Sequence, residues 1–260
     1  MFRFLKRAGT ASDPREVWPV PQPDGPLYAV GDIHGQADLL ERMIVMLDED
    51  MRARGLGAAQ VVFLGDYIDR GDRSGDVLFR LMDLADQFPD NVVCLRGNHE
   101  QMMLDFLNDP EGKGPRWLRN GGLQTMASLD VPDVSERMGP NSLREAAATL
   151  SRRLTPAGVA WLNGLRFSYL SGNVACIHAA LDPDKGLKAQ DDDTLIWGHP
   201  QFGKKDRDDG LWAVHGHTVV DDPVALRGRV AVDTGAYFSG RLTAAALFPG
   251  QPARFITASL

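Results

Sequence analysis

The chain has 260 residues, 43% hydrophobic and 24% charged, with a formal net charge of −7. This is the make-up of an ordinary globular protein, long enough for one large domain or two small ones. The acidic balance argues against a dedicated nucleic-acid binder, which carries a basic stripe, and no run of about 20 apolar residues is present to span a bilayer.

Residues 1–24 read as a flexible N-terminal tail. Its basic start, Met1 to Arg7, lacks the apolar core and cleavage site of a secretory signal. Pro14, Pro19, Pro21, Pro23 and Gly25 then interrupt any periodicity. With no membrane segment, and with Cys94 and Cys176 inside apolar strand-like runs that suggest buried thiols, the expected location is cytoplasmic.

Residues 25–260 are expected to form a single α/β domain. Leu27-Tyr28-Ala29-Val30, Gln60-Val61-Val62-Phe63-Leu64 and Asn91-Val92-Val93-Cys94-Leu95 read as buried strands. Between them, Leu39, Leu40, Met43 and Leu47, then Val77, Leu78, Leu81 and Met82, recur at helical spacing. A βαβαβ order implies a parallel sheet with right-handed crossovers. Residues 110–165 are Arg- and Leu-rich and helical in pattern, suggesting an insertion or cap beside a site. Short apolar runs beginning at Asn173, Leu211, Val230 and Leu242, without long helices between them, suggest a mixed or antiparallel second sheet.

Each of the first three strands ends in a polar, Gly-flanked segment. These are Gly31-Asp32-Ile33-His34-Gly35, Gly65-Asp66-Tyr67-Ile68-Asp69-Arg70-Gly71 and Gly97-Asn98-His99-Glu100. The carboxyl ends of parallel strands are where open α/β sheets assemble ligand sites. Of the six histidines, only His199 lies away from such a strand end; His178, His215 and His217 follow later apolar runs. Asp32 and His34 alternate along an extended stretch and could grip one cation together. Asp66 could bridge to a second, completed by Asn98, His178 and His217. Mixed carboxylate and imidazole donors suit manganese, iron or zinc better than calcium. Each residue also has a local alternative: Asp32 and Asp66 as helix caps, Asp69 as a turn cap, Arg70 and Arg96 as ion-pair partners. His215 is better read as packing or hydrogen-bonding at its strand end.

The three segments, with Gly216-His217-Thr218 and Val232-Asp233-Thr234-Gly235, resemble the calcineurin-like metallophosphoesterases. More narrowly, they resemble the bacterial and phage form of the phosphoprotein phosphatases. The resemblance extends to Trp117-Leu118-Arg119-Asn120-Gly121-Gly122 and covers about residues 26–248. It implies a β-sandwich flanked by helices (αββα) and two divalent metal ions, manganese first, with iron or zinc compatible. Asp32, His34 and Asp66 would hold one ion, and Asp66, Asn98, His178 and His217 the other. His99 would be the general acid, oriented by Asp69, with Arg70 and Arg96 on the phosphate.

The activity implied is hydrolysis of phosphoserine or phosphothreonine in proteins, with phosphotyrosine open, by direct attack of a solvent molecule activated between the ions. The partner is thus a phosphorylated protein or peptide; the alternative is a diadenosine tetraphosphate hydrolase. Members of that group usually have alanine where Asp69 stands and Asp where Glu100 stands. One departure is evident: related phosphatases carry an arginine after the tryptophan that here begins Trp197-Gly198-His199-Pro200. His199, or Lys204, Lys205 or Arg207 from the following loop, would have to replace it.

Overall fold

The structure is a computed structural model and describes residues 18–260. The first half runs β1 (Leu27–Val30), α1 (Ala37–Ala53), β2 (Gln60–Phe63), α2 (Ser74–Gln87), β3 (Val92–Cys94), α3 (Asn98–Asn108), α4 (Pro110–Trp117), α5 (Leu123–Ser128) and α6 (Pro140–Gly164). The second half continues with β4 (Ser168–Ser171), β5 (Val174–Ile177), α7 (Asp192–Trp197), β6 (Trp212–His215), β7 (Val224–Leu226), β8 (Arg229–Ala231), α8 (Ala236–Ser239), β9 (Arg241–Leu247) and β10 (Arg254–Ser259).

The strands form two five-stranded sheets, ordered β10-β9-β1-β2-β3 and β4-β5-β6-β8-β7. In the first, β1, β2 and β3 are parallel, with Leu27 opposite Gln60 and Val61 opposite Val92. The second is mixed: β5, β6 and β8 are parallel, while β4 and β7 run antiparallel at its edges. One strand differs from expectation. Leu242 to Leu247, grouped from sequence with the second sheet, pairs with β1 of the first. Its alternation explains the placement, since Ala245 and Leu247 enter the inter-sheet core while Ala244 and Ala246 leave room for the helix layer.

Period-two alternation sorts the side chains into three layers. Leu27, Ala29, Val62 and Leu64 of the first sheet meet Val174, Cys176, Trp212 and Val214 of the second. Tyr28, Val30 and Phe63 point the other way, into a larger core with α1, α2, α3 and α6. Ala213 and Ile177 back onto α7 through Leu195 and Ile196. Helix, sheet, sheet and helix are therefore stacked, the αββα sandwich.

Residues 110–165 are helical, and Trp117, Leu118, Met126, Leu143 and Leu150 are buried in the same core as α1 and α2. The segment is thus a wall of the domain rather than a separate cap. Its long helix α6 is kinked at Thr155 (φ 63°), the residue before Pro156.

The N-terminal tail needs correction where it is described. Residues 1–17 lie outside the described residues, but 18–24 run along the sandwich. Pro21 and Pro23 are buried, the Trp212 indole N–H donates to the Pro19 carbonyl (2.6 Å), and the Gln22 amide donates to Asn173 Oδ1 (2.6 Å). Prolines that forbid a helix do not forbid packing as an extended strip. Among the described residues no helix is long and apolar enough to cross a membrane.

Leu27 is fully buried between the sheets. Leu27→Ala is expected to lower unfolding free energy by about 2–5 kcal/mol with an unchanged urea slope, whereas Phe79→Ala on the outer face of α2 shifts it by less than about 1 kcal/mol.

Candidate metal and phosphate site

The polar loops after β1, β2 and β3 meet the loops after β5 and β6 at one edge of the sandwich. Asp32, His34, Asp66, Asp69, Asn98, His99 and His178 are all buried there. Chain reversal within so few residues requires unusual backbone. His34 (φ 47°), Asp66 (φ 53°), Asp69 (φ 72°), Arg70 (φ 69°) and His217 (φ 61°) all occupy the left-handed region. Each such residue costs on the order of 1 kcal/mol, and such strain concentrates at functional sites. It also revises the expected extended run from Asp32 to His34, since His34 sits in a tight turn instead.

Asp66 lies at the centre. Its Oδ2 is 3.7 Å from His34 Nε2 and 3.9 Å from His99 Nε2, while its Oδ1 is 3.4 Å from His178 Nε2. His178 Nε2 and His217 Nδ1 in turn lie 3.0 and 2.9 Å from Asn98 Oδ1. Two clusters of metal-ligating atoms therefore share Asp66: one with His34 and His99, the other with His178 and His217. Asp32 stands beside them, accepting the His217 backbone N–H (3.0 Å). His99, which the resemblance gives as general acid alone, is thus a member of the first cluster beside His34.

The donor set fits two divalent cations. His34 Nδ1 donates to the Ile68 carbonyl (2.7 Å) and His178 Nδ1 to that of Leu64 (3.0 Å), which turns the Nε2 of each ring toward Asp66. Burial holds His34 down to about 3 and His217 down to about 4, so both are neutral at pH 7. Burial opposes charge on His178 and His99, but Asp66, joined by Asp69 at His99, raises both. Burial likewise opposes charge on Asp66, and His178, His99 and His34 hold it well below the usual carboxylate range. Asp32 is pushed well above that range by burial, then by Asp233 and Asp66. Lone pairs and carboxylates crowded together in a dry site call for positive charge.

Glu100 holds the loops in register. Its carboxylate accepts the backbone N–H groups of Asp66 (2.9 Å), Tyr67 (2.8 Å) and Gly97 (2.9 Å). Burial and Asp66 raise its pKa to about 7. Sequence reading gives Glu100 as a motif residue and a mark against the dinucleotide hydrolases, and its place three residues past the helix N-cap is itself a capping signal.

Asp69 meets His99 Nδ1 at 2.6 Å. It is also held by the Trp117 indole N–H (2.9 Å) and the Thr125 hydroxyl (2.5 Å), both from the helical segment 110–165. The Trp117 to Gly122 motif has its explanation here. Gly121 (φ 106°) lies so close to the Arg70 backbone that a Cβ would sit 2.6 Å from its nitrogen.

Arg70 is exposed at the mouth, its guanidinium 3.1 Å from His34 Nε2 and 3.2 Å from His99 Nε2 and 4.8 Å from the centre of the Tyr237 ring. Tyr237, which sequence reading missed, also stands edge-on to His34 at 5.4 Å. Arg96, expected on the phosphate, is elsewhere. Its guanidinium donates to the Leu162 (3.0 Å) and Asn163 (2.7 Å) carbonyls and to Gln101, tying α3 to the end of α6. Arg96 is buried, so its N–H donors need acceptors, and the main-chain carbonyls at the end of α6 supply them.

Of the loop cations, Arg207 donates to the Asp182 (2.9 Å) and Lys185 (3.0 Å) carbonyls, and Lys205 pairs with Asp184. His199 lines a cavity shared with His217, with Nε2 3.8 Å from Asp182. His215 Nδ1 donates to the Gly216 carbonyl (3.0 Å), and its ring packs on Phe202.

A family model described as calcineurin-like phosphoesterase matches residues 25–221, and the chain belongs to that family of metal-dependent phosphoesterases. Within it, curated relatives include serine/threonine-protein phosphatase BSL2 of Arabidopsis thaliana, 36% identical over 82 residues. The uncharacterized protein F44B9.9 of Caenorhabditis elegans is 38% identical over 86 residues. These matches take in 32% and 31% of this chain and only 8% and 34% of the relatives' own lengths. Among solved structures, a Saccharomyces cerevisiae serine/threonine phosphatase with similarity to human PP5 superposes with a TM-score of 0.58 at 17% identity, over 92% of this chain and 81% of that one. A proposed diadenosine tetraphosphatase gives 0.60 at 19% identity, over 92% and 96%. Both establish the fold.

Two outcomes test the geometry. A Cβ on Gly216 would sit 1.9 Å from Asp32 Oδ1, so Gly216→Ala is expected to weaken Mn²⁺ binding about 10–100-fold by calorimetry while circular dichroism is unchanged. Arg96→Met is expected to cost about 1–3 kcal/mol of stability yet leave KM for a phosphate ester in place, whereas Arg70→Met raises KM.

Proposed function

We propose that this chain is a dimetal-dependent phosphomonoesterase acting on phosphoserine and phosphothreonine in a protein or peptide. The observation that carries this reading is the His99–Asp69 pair, 2.6 Å long, fully buried and braced by Trp117 and Thr125. When bound, a pair of divalent cations, manganese being the ion the family resemblance puts first and iron or zinc also suiting these donors, supplies charge neutralisation and an activated nucleophilic water. Asp32, His34 and Asp66 would hold one, and Asp66, Asn98, His178 and His217 the other.

The protein's own groups supply the rest. Arg70 reaches the mouth from a fixed turn and offers a planar pair of donors to phosphoryl oxygens. His199 presents an imidazole from the adjoining cavity in place of the family's arginine. The Nδ1 of His99 is committed to Asp69, so only its Nε2 can hand a proton to the leaving group. A serine or threonine alkoxide is a poor leaving group and needs that proton, a contribution of about 10²–10⁴-fold. A pyrophosphate leaving group needs it far less, which favours phosphomonoesters over dinucleoside polyphosphates. A cytoplasmic setting agrees with two buried, reduced cysteines; burial raises the Cys94 thiol to about 12 and Cys176 further still.

The test is turnover of phosphoserine, phosphothreonine and phosphotyrosine peptides, diadenosine tetraphosphate and p-nitrophenyl phosphate with Mn²⁺, Fe²⁺ or Zn²⁺. Preferential turnover of the phosphoserine and phosphothreonine peptides is expected; turnover of the dinucleotide alone overturns the reading. His99 donates only when protonated, so activity falls as pH rises through its pKa, which Asp66 and Asp69 raise. Asp69→Asn is therefore expected to move the basic limb of the kcat/KM profile to lower pH, and an unmoved limb would remove Asp69 from this role.

A further inference from the structure

The site opens into a groove in two connected parts that share Trp197 and Gly198. The first, about 400 Å³, contains His217 and His199. The second, about 730 Å³, lies beyond Trp197 and is walled by Lys113 and Arg116 of α4 on one side and Asp192 and Asp193 of α7 on the other. A small phosphate ester fills only the first part. The second is available to whatever the phosphate is attached to.

Arg116 is the organised feature of this outer part. It is exposed, and its guanidinium lies 4.2 Å from the centre of the Trp197 ring. Stacking on an indole fixes the plane of the group and leaves its edge N–H donors turned outward, ready for a carboxylate. Its side chain holds no carboxylate among the described residues; its recorded hydrogen bond is through the backbone carbonyl, to Asn120. Lys113 extends the same positive wall, while Asp192 and Asp193 make the opposite wall negative. A channel with walls of opposite sign suits a polypeptide bearing both kinds of side chain. It is poorly matched to a polyphosphate, which would lie against three carboxylates, since Asp105 of α3 also lines it.

We propose that this outer groove holds the peptide chain flanking the phosphorylated residue, and that Arg116, set by Trp197, receives an acidic side chain of that peptide. This rests on the phosphopeptide reading of the site and adds to it a sequence preference.

The experiment compares two phosphoserine peptides, one with acidic and one with basic residues flanking the phosphoserine, against p-nitrophenyl phosphate in the full chain with Mn²⁺. Wild type should favour the acidic peptide. In Arg116→Glu, kcat/KM for that peptide relative to the small ester should fall roughly tenfold, the size of one charge-assisted contact, and the basic peptide should become preferred. Arg116 is exposed, so the variant is expected to fold; Trp197→Phe, which keeps an aromatic platform, should retain the wild-type preference. Equal turnover of the two peptides by wild type, or an Arg116→Glu effect of the same size on the small ester, overturns the inference while leaving the phosphatase reading intact. Turnover of diadenosine tetraphosphate with neither peptide hydrolysed overturns both.

Discussion

A single buried carboxylate organises this protein. Asp66 directs one oxygen toward His34 and His99 and the other toward His178, so imidazoles from both sides of the sandwich converge on it. A lone carboxylate in a dry interior is costly unless compensated. Here the compensation is distributed among three rings, two with their distal nitrogens tied to main-chain carbonyls and His99 with its own tied to Asp69. Glu100 then fixes the loop bearing Asp66 by two backbone hydrogen bonds, from Asp66 and Tyr67, and its own loop by a third from Gly97. Left-handed turns at five site residues are tolerated because these contacts over-determine them.

The gathering of these residues at one sheet edge is legible because each ends an apolar run, most of them at a Gly-flanked turn, and strand ends on one side of a parallel sheet must converge. What could not be read was direction. Arg96 belongs to the same short segment as Asn98 and His99, but its side chain leaves for the end of α6. The strand beginning at Leu242 was legible as a strand but not as a member of the first sheet, because pairing is a long-range choice that alternation alone does not specify. The proline-rich approach to the domain was equally opaque. Periodicity reports regular elements, whereas residues 18–24 pack without forming one.

The helical segment 110–165 joins stability to chemistry. Its apolar face completes the core on the outer side of the first sheet, and the same helices supply Trp117 and Thr125 to Asp69. Its α4 also presents Arg116 over Trp197. One stretch of chain therefore braces the His99–Asp69 pair and shapes the approach to it. Changes that retune the outer wall can occur on exposed positions of α4 without disturbing the buried face that supports Asp69.

The first sheet and the loops that follow it contribute Asp32, His34, Asp66 and Asn98, whereas His178 and His217 follow strands of the second. The site therefore straddles a seam. Any ion seated there acts as a rivet between the two β layers, and slippage of one against the other by a fraction of an ångström would loosen its grip. Rigidity of the apolar filling between the sheets, remote from any reacting atom, becomes a determinant of how tightly the cations are kept.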